Sequence, residues 1–230
     1  MSFTGDGLVV EAHPSATVVL VRDSEQGLET LLLCKSENVN WLSGMWVFPG
    51  GRVDEEDYTD DRDVYSAAHN AAIRETIEEA DFRITSEQLH YFSHWTTPEG
   101  VRKRFSTWFF VALTISDQAV IVDGGEISKH RWVSPQEAIT ASKGGDLKLM
   151  PPTYITLLKL TEFNTINEVE NYMCSHQPVK YFPKMIKTEG DGMYFLYQGD
   201  AGYETTNLDA EGARHRTQIL EGNINYLCDF

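Results

Sequence analysis

Three carboxylates and one guanidinium lie within six consecutive residues, from Arg74 to Glu79. At about 100° per residue, a helix places Glu75, Glu78 and Glu79 in one wide sector. Clustered carboxylates repel one another, and their oxygens are the ligands that Mg²⁺ and Mn²⁺ prefer, commonly together with substrate phosphates. The segment therefore predicts either a metal-binding helix or a solvated acidic helix face. The opposite, core-facing side would carry Ile73, Thr76, Ile77 and Ala80.

A proline-glycine turn lies upstream of this acidic helix. The segment Phe48-Pro49-Gly50-Gly51 follows the short apolar run at residues 45–47. Proline fixes one backbone dihedral, and the two glycines permit positive φ and a close approach of the backbone to a ligand. A strand that ends in this turn could present the Gly51 carbonyl to the same metal as the helix carboxylates.

Together, the turn and the helix resemble the box of the Nudix hydrolase superfamily. Gly51, Arg74, Glu75, Glu78 and Glu79 match positions of that box. The resemblance implies that Gly51 and the three glutamates hold Mg²⁺ or Mn²⁺, that Glu75 and Glu79 take part in catalysis, and that Arg74 orients the carboxylates. It also implies a Nudix α/β/α sandwich with a central mixed sheet.

The chain departs from the family box between the turn and the helix, where it carries extra residues. We interpret the acidic segment 54–63 as a solvated loop with a helix N-cap at Asp63, and not as a second metal site. Asp81 stands where the family has glycine. Because Asp tolerates the left-handed conformation, a helix C-cap is still expected at Asp81.

The spacing of residues 31–51 is similar to the signature of the Nudix coenzyme A diphosphatases. That branch contains the peroxisomal coenzyme A diphosphatase and its bacterial relatives. Lys35 and Asn40 replace two arginines of the signature. Lys35 keeps the charge and is predicted to bind substrate phosphate, whereas Asn40 loses a guanidinium. The aligned positions are Leu31, Leu32, Ser36, Gly44, Phe48, Pro49, Gly50 and Gly51.

Two further features are candidates for contact with substrate. Arg102, Lys103 and Arg104 form the densest basic cluster of the chain and could bind a diphosphate or a ribose phosphate. A charged edge strand that prevents sheet-to-sheet pairing is the alternative interpretation of this cluster. Glu126 lies in a loop before a predicted strand, where the resemblance implies a metal ligand or a general base. A solvated loop acid is the alternative for Glu126.

The chain is predicted to contain a Nudix domain at residues 1–150 and a C-terminal α+β extension at 151–230. Gly144-Gly145 and Pro151-Pro152 punctuate this change. Apolar runs predict strands at 16–22, 28–35 and 105–113 in the first part. The second part predicts helices at 153–161 and 166–174, and strand pairs 181–187 with 193–197 and 215–220 with 224–228.

Composition narrows the classes of partner. A net charge of −16 over 230 residues argues against nucleic acid or an anionic membrane as a main partner. No apolar run approaches membrane-spanning length. Cys34, Cys174 and Cys228 are widely spaced and odd in number, so we expect buried, reduced thiols in a cytoplasmic protein. The oligomeric state stays open, a homodimer included.

The sequence therefore predicts a metal-dependent diphosphatase acting on a nucleoside diphosphate linked to another moiety. Coenzyme A or acyl-coenzyme A is favoured, and ADP-ribose and NADH-type dinucleotides are the alternative substrates. A non-catalytic nucleotide-sensing regulator is an alternative of another class, although such a protein need not keep three clustered glutamates. An isoprenoid diphosphate isomerase would need a catalytic cysteine near a strand where the chain has none.

Overall fold

A computed structural model describes residues 10–37, 42–188, 190 and 192–230. Asn40, and Glu189 and Asp191 of a predicted turn, lie outside these residues. Among the helices described, none is both long and apolar enough to cross a bilayer. The α-helices are α1 (Val64–Ala80), α2 (Pro135–Lys143), α3 (Pro151–Leu160) and α4 (Ile166–Ser175). The first seven strands are β1 (Ala12–Ser24), β2 (Gly27–Lys35), β3 (Trp46–Val47), β4 (Gly50–Arg52), β5 (Leu89–Thr96), β6 (Arg104–Leu113) and β7 (Ile127–Val133). The C-terminal strands are β8 (Val179–Tyr181), β9 (Lys184–Lys187), β10 (Met193–Leu196), β11 (His215–Leu220) and β12 (Asn223–Cys228).

The large sheet has mixed strand directions. Its order is β3-β2-β1-β6-β5-β8, and β4 and β7 pair with β1 and β2. Strand β1 runs parallel to β6 and antiparallel to β2 and β4. Val19 and Val21 belong to the core beneath α2, α3 and α4, whereas Val18 and Leu20 belong to the core beneath α1. A strand buried on both faces requires a continuous apolar run. The predicted sandwich with a central mixed sheet is confirmed.

Both predicted caps of α1 are confirmed. The Asp63 carboxylate accepts a hydrogen bond from the Ser66 amide at 2.7 Å. Asp81 adopts the left-handed conformation with φ 48°, and its amide donates to the carbonyl of Ile77. Small side chains let the helix lie close against the sheet. These buried residues are Ala67, Ala68, Ala71, Ala72 and Ala80.

The predicted division of α1 into an acidic side and a core side is wrong in part. Glu79 is buried, with 4% of its surface exposed, while Ile73 and Ile77 are only half-buried. Glu79 lies next to Thr76 in helical projection, at the border of the core-facing sector. One carboxylate of the cluster therefore points inward, beneath the sheet.

Helices α3 and α4 confirm the two predicted C-terminal helices within two residues at each end. The predicted strand at 181–187 is wrong in part, because Phe182 and Pro183 separate β8 from β9, although residues 184–187 do pair with β10 as predicted. Strand β8 pairs with β5 in the large sheet, whereas β9 pairs with β10 in a second sheet. Proline has no amide hydrogen to donate to a strand ladder, so the chain can change sheets at Pro183.

The second sheet is antiparallel, in the order β12-β11-β10-β9. Glu221 and Gly222 join β11 to β12 with φ of 50° and 80°, as expected for a two-residue hairpin turn. Phe195 and Tyr197 of this region share one core cluster with Val19 of the large sheet. Residues 151–230 thus pack against the large sheet, while the boundary at residue 150 stays a prediction.

The three cysteines differ in exposure. All are free thiols, but only Cys34 is buried, and Cys174 and Cys228 are exposed. The expectation of three buried thiols is therefore wrong for two of them. Both exposed thiols lie in the C-terminal part, where α4 and the edge strand β12 border solvent on one side.

We expect the protein to lose stability in mild acid because of His94. Burial, with a smaller contribution from Lys180, lowers the pKa of His94 to about 4, and its ring bonds Ser106 Oγ at 2.8 Å. The unfolded chain protonates this ring near pH 6.5, so stability is full above that pH and falls as pH decreases toward 4. Denaturant unfolding should show a loss of about 1–2 kcal/mol from pH 7 to 5 attributable to this ring. His94→Gln should show a smaller loss, and an unchanged pH slope in that variant would contradict the assignment.

Candidate active site

The Gly50-Gly51 turn brings backbone against the helix carboxylates. The Gly50 amide donates to Glu79 Oε2 at 2.9 Å, and Gly50 has a φ of 154°. A Cβ on Gly50 would lie 2.3 Å from the Ala16 carbonyl, and one on Gly51 would lie 2.2 Å from Glu75 Oε1. Only glycine fits at position 50, where backbone atoms lie too close for a side chain, whereas a side chain at position 51 would displace the Glu75 carboxylate. The pair therefore allows the turn to lie close to the helix carboxylates.

Arg74 is the centre of the acidic cluster. Its Nη1 donates to Glu75 Oε1 at 2.9 Å and to Glu78 Oε2 at 3.1 Å. Its Nη2 donates to the Arg52 carbonyl at 3.0 Å, which ties the helix to the end of β4. Charge-assisted bonds of this kind fix orientation as well as charge. Arg74 therefore holds two of the three predicted ligands in place.

Asp57 is a residue that sequence reasoning missed. It lies in the segment predicted to be a solvated loop, yet it is buried and accepts from Arg74 Nε at 3.0 Å and Nη2 at 2.8 Å. The solvated-loop prediction is therefore wrong for this residue. Asp57 is one acid in an acidic run, so no signal in the sequence distinguishes it. Its bidentate pairing orients Arg74 toward Glu75 and Glu78.

Lys35 and Glu126 meet the inward-pointing carboxylate. The Lys35 ammonium lies 2.7 Å from Glu79 Oε1 and 2.6 Å from Glu126 Oε1. Burial opposes the charged form of Lys35, but the two carboxylates outweigh burial and raise its pKa. The end of β2, helix α1 and the loop before β7 are distant in sequence but meet at these three side chains. The roles predicted for Lys35 and Glu126 did not include an ion pair between them.

The loop that carries Glu126 is fixed by its backbone. Asp123 accepts hydrogen bonds from the amides of Gly125, Glu126 and Ile127. The Ser36 amide donates to the Glu126 carbonyl at 2.7 Å, which joins the loop to the end of β2. The Glu126 side chain, 56% exposed, is therefore presented from an anchored backbone.

Glu75 and Glu79 have raised pKa values, because the nearby cations offset only part of the effect of burial on each carboxylate. Burial raises the pKa of Glu75, against the opposing effect of Arg74. Burial also raises the pKa of Glu79 to about 7, and Lys35 offsets only part of this effect. Buried carboxylates that keep raised pKa values beside a cation lie in a site that still favours additional positive charge.

The donor chemistry of the site fits a divalent cation. Glu75, Glu78 and Glu79 supply oxygen only, which suits Mg²⁺ or Mn²⁺, and Gly51 places backbone within contact of Glu75. In the part of the chain that the structure describes, no three acidic, histidine or cysteine side chains converge as a ready ligand set. Arg74 and Lys35 engage the carboxylates instead, so ligand side chains would have to exchange partners on binding.

The basic cluster splits between two environments. Arg104 is buried, and its guanidinium donates to the carbonyls of Thr97 and Val10 at 3.1 and 2.7 Å. Arg104 therefore ties the start of β1 to β6, and these bonds engage its guanidinium with backbone carbonyls. Arg102 and Lys103 are exposed and line a cavity of about 570 Å³.

The cavity lies on the face of the sheet opposite α1. Its wall is mainly apolar and includes Phe48 and Phe109 from the large sheet, with Phe195 from the second sheet. Thr17 also lines it and pairs with Gly50, the residue that binds Glu79. Buried Trp95 contributes an indole N–H that has no hydrogen-bond partner among the described residues. The lining residues come from segments far apart in the chain, so local sequence patterns do not identify them.

We expect Gly51→Ala to lower the rate of turnover while the melting temperature changes little. The added methyl group would overlap the Glu75 carboxylate, which must move away from Arg74 and from the turn. A predicted metal ligand displaced in this way should reduce turnover at least about tenfold. Gly144→Ala is the matched control, because its Cβ would meet neighbours only at 3.6 Å or more. Steady-state kinetics and thermal melts of both variants test this, and equal activities would contradict the role of Gly51.

The chain is similar in sequence to proteins that are named as a diphosphatase or as a nudix hydrolase. Acyl-coenzyme A diphosphatase NUDT19 of Homo sapiens is 28% identical over 119 residues, which are 50% of this chain and 32% of that protein. Putative nudix hydrolase 7 of Caenorhabditis elegans is 24% identical over 213 residues, 77% of this chain and 70% of that protein. The chain thus spans about a third of the length of the acyl-coenzyme A diphosphatases it matches.

The fold has solved counterparts. The crystal structure of a NUDIX hydrolase from Alicyclobacillus acidocaldarius has a TM-score of 0.60 and 21% identity, covering 72% of this chain and 96% of that one. At this identity the likeness supports the fold alone. A family model described as the NUDIX domain matches residues 11–152, which is more than half of the sequence. On this match, and on the sandwich that carries Gly51 and the glutamates of α1, the chain belongs to the NUDIX domain family.

Proposed function

We propose that the protein is a divalent-metal-dependent hydrolase that cleaves the diphosphate bond of a nucleoside diphosphate linked to another moiety. The observation that carries this proposal is the packing of Glu75 and Glu79 against the Gly50-Gly51 backbone, with Arg74 oriented by Asp57. A purely solvated acidic face would not bury carboxylates at the cost of raised pKa values.

Different residues of the site would bind the metal, position its ligands and accept a proton in such a reaction. Glu75, Glu78 and Glu79, with the Gly51 carbonyl, would hold Mg²⁺ or Mn²⁺. Bound divalent cations neutralise the diphosphate and favour attack of water on phosphorus. Arg74 acts as a positioning residue through its bonds to Glu75 and Glu78. A carboxylate must also take the proton of the attacking water.

Glu126 and a carboxylate of α1 are the two candidates for the general base. Glu126 has a half-exposed side chain on an anchored loop, within reach of incoming water. Glu79 has a pKa raised to about 7, which matches the requirement for a base at neutral pH. Comparing the rates of Glu126→Gln and Glu79→Gln at saturating metal would separate a base from a residue that mainly binds metal.

For the substrate we favour coenzyme A or an acyl-coenzyme A. The apolar cavity next to the turn suits a pantetheine arm or an acyl chain better than a second sugar or nicotinamide. Arg102 and Lys103 at the cavity could bind phosphate groups of the nucleotide end. The name of the human relative points in the same direction. The cytoplasmic location stays a prediction. A homodimer is still one of the oligomeric states that the sequence analysis left open.

A substrate screen tests this proposal directly. Purified protein with Mg²⁺ or Mn²⁺ is assayed against coenzyme A, an acyl-coenzyme A, ADP-ribose, NADH and diadenosine polyphosphates. We expect metal-dependent hydrolysis with the highest kcat/KM for a coenzyme A derivative. Faster cleavage of ADP-ribose or NADH would favour the dinucleotide alternative. Binding of a nucleotide without turnover of any compound would replace the enzyme by a nucleotide-sensing regulator.

A further inference from the structure

The ammonium group of Lys35 lies where the acidic cluster meets the Glu126 loop. It donates to Glu79 Oε1 at 2.7 Å and to Glu126 Oε1 at 2.6 Å. The side chains of Lys35 and Glu79 are 7% and 5% exposed. A lysine that is this buried keeps its charge only because it is paired with carboxylates.

The Glu79 carboxylate and the Glu126 backbone are each held by groups other than the lysine. Glu79 is held by the Gly50 amide through its other oxygen. Glu126 is held through its backbone, by Asp123 on one side and by Ser36 on the other. The Glu79 carboxylate and the backbone that carries Glu126 are thus held near each other, and two carboxylates brought together in this way attract a cation. In the structure, the cation between them is the lysine ammonium.

We propose that Lys35 is an internal counter-ion that competes with a divalent cation for Glu79 and Glu126. A metal ion that binds these same two oxygens would lie close to the ammonium group, where the repulsion between the two positive charges opposes joint contact. Metal binding therefore displaces the ammonium from at least one carboxylate. This inference rests on the proposed function in assuming that Glu79 belongs to the metal site.

Two consequences follow for the free protein. Lys35 compensates part of the burial cost of the Glu79 carboxylate before metal binds, which stabilises the site without metal. It also weakens metal binding, because part of the metal's interaction with Glu79 replaces an existing ion pair. The displaced ammonium remains close to the carboxylates and becomes available to an anionic group such as a substrate phosphate.

Metal titration without substrate tests the competition. Binding of Mn²⁺ is measured by calorimetry and by electron paramagnetic resonance for the wild type, Lys35→Met and Lys35→Arg. We expect Lys35→Met to bind Mn²⁺ at least about tenfold more tightly than the wild type. Lys35→Arg, which keeps the charge, should stay within about threefold of the wild type.

The matched control is Lys129→Met, on the neighbouring strand β7. Lys129 is exposed and its residue pairs with Cys34, so the variant changes net charge equally close to β2 without touching Glu79. Its Mn²⁺ affinity should change less than about threefold. Equal tightening in both methionine variants would show a general charge effect and overturn the specific role of Lys35. Equal or weaker binding by Lys35→Met would overturn the competition itself.

A measurement on the wild type covers the case in which Lys35→Met does not fold. Nitrogen-15 labelling of lysine side chains should show an ordered, slowly exchanging ammonium signal without metal, absent in Lys35→Arg. Addition of Mg²⁺ should shift or remove that signal. A signal unchanged at saturating Mg²⁺ would overturn the proposal. None of these readouts requires turnover, so a protein that binds metal competitively but hydrolyses nothing would refute only the proposed function.

Discussion

Replacement of Glu79 by glutamine is expected to lower kcat more than about 100-fold while the protein remains folded. The change replaces one carboxylate oxygen by an amide group at nearly constant volume, which removes a metal ligand. The protein should remain folded, because Glu126 still pairs with Lys35 and a neutral side chain removes the burial cost that raises the pKa of Glu79 to about 7. Loss of one charged partner of the buried Lys35 should nevertheless lower the stability in part. Turnover of the best substrate from the screen and a thermal melt measure the two quantities.

Glu170→Gln is the control for this substitution. Glu170 is an exposed residue of α4, far in sequence from the cluster, and the same chemical change there should leave kcat unaltered. A Glu79→Gln protein with full kcat would remove that residue from the reaction. A variant that loses activity only through unfolding would reveal itself by a lowered melting temperature.

Removal of Asp200 is expected to cost the largest amount of stability in the C-terminal part. Asp200 and Arg216 are 0% and 5% exposed and form a bidentate pair at 2.6 and 2.7 Å. Asp200→Ala would leave a buried guanidinium without its carboxylate, at a cost of about 3–5 kcal/mol. Equilibrium unfolding in urea, followed by tryptophan fluorescence and circular dichroism, gives the free energy.

An exposed ion pair in the same sheet provides the comparison. Glu204 lies 3.4 Å from Lys184 with 86% of its side chain exposed, so Glu204→Ala should cost less than about 1 kcal/mol. If Asp200→Ala cost no more than Glu204→Ala, the buried pair would not stabilise the sheet. Because Phe195 of the same sheet lines the cavity, loss of the pair should also weaken binding of the apolar part of a substrate.

Local structure was largely readable from the sequence. The apolar run that became β1, the caps Asp63 and Asp81, and the helices that became α3 and α4 all depend on residues close together in the chain. Hydrophobic period and capping chemistry act over a few residues, so they can be recognised without knowledge of the fold. The strand break at Pro183 was missed, although the same kind of local rule indicates it, since proline cannot continue a ladder.

The burial of single acids was not readable. Asp57 and its acidic neighbours look alike in the sequence, yet only Asp57 among residues 54–57 is buried, because Arg74 reaches it from α1. Glu79 points inward because the Gly50 amide and Lys35 approach it from other strands. Whether a carboxylate meets water or a cation depends on segments far away in the chain.

The sequence by itself determined the residues that match the Nudix box and the types of residue that could hold a metal, and the resemblance to the family implied the mixed sheet. Only the tertiary structure decided that Lys35 lies between Glu79 and Glu126, that Arg104 binds backbone, and that the second sheet closes one wall of the cavity. The physical reason is one of range. Secondary structure follows from local backbone and side-chain preferences, whereas charge compensation and cavity walls arise from contacts between residues that the chain brings together only on folding.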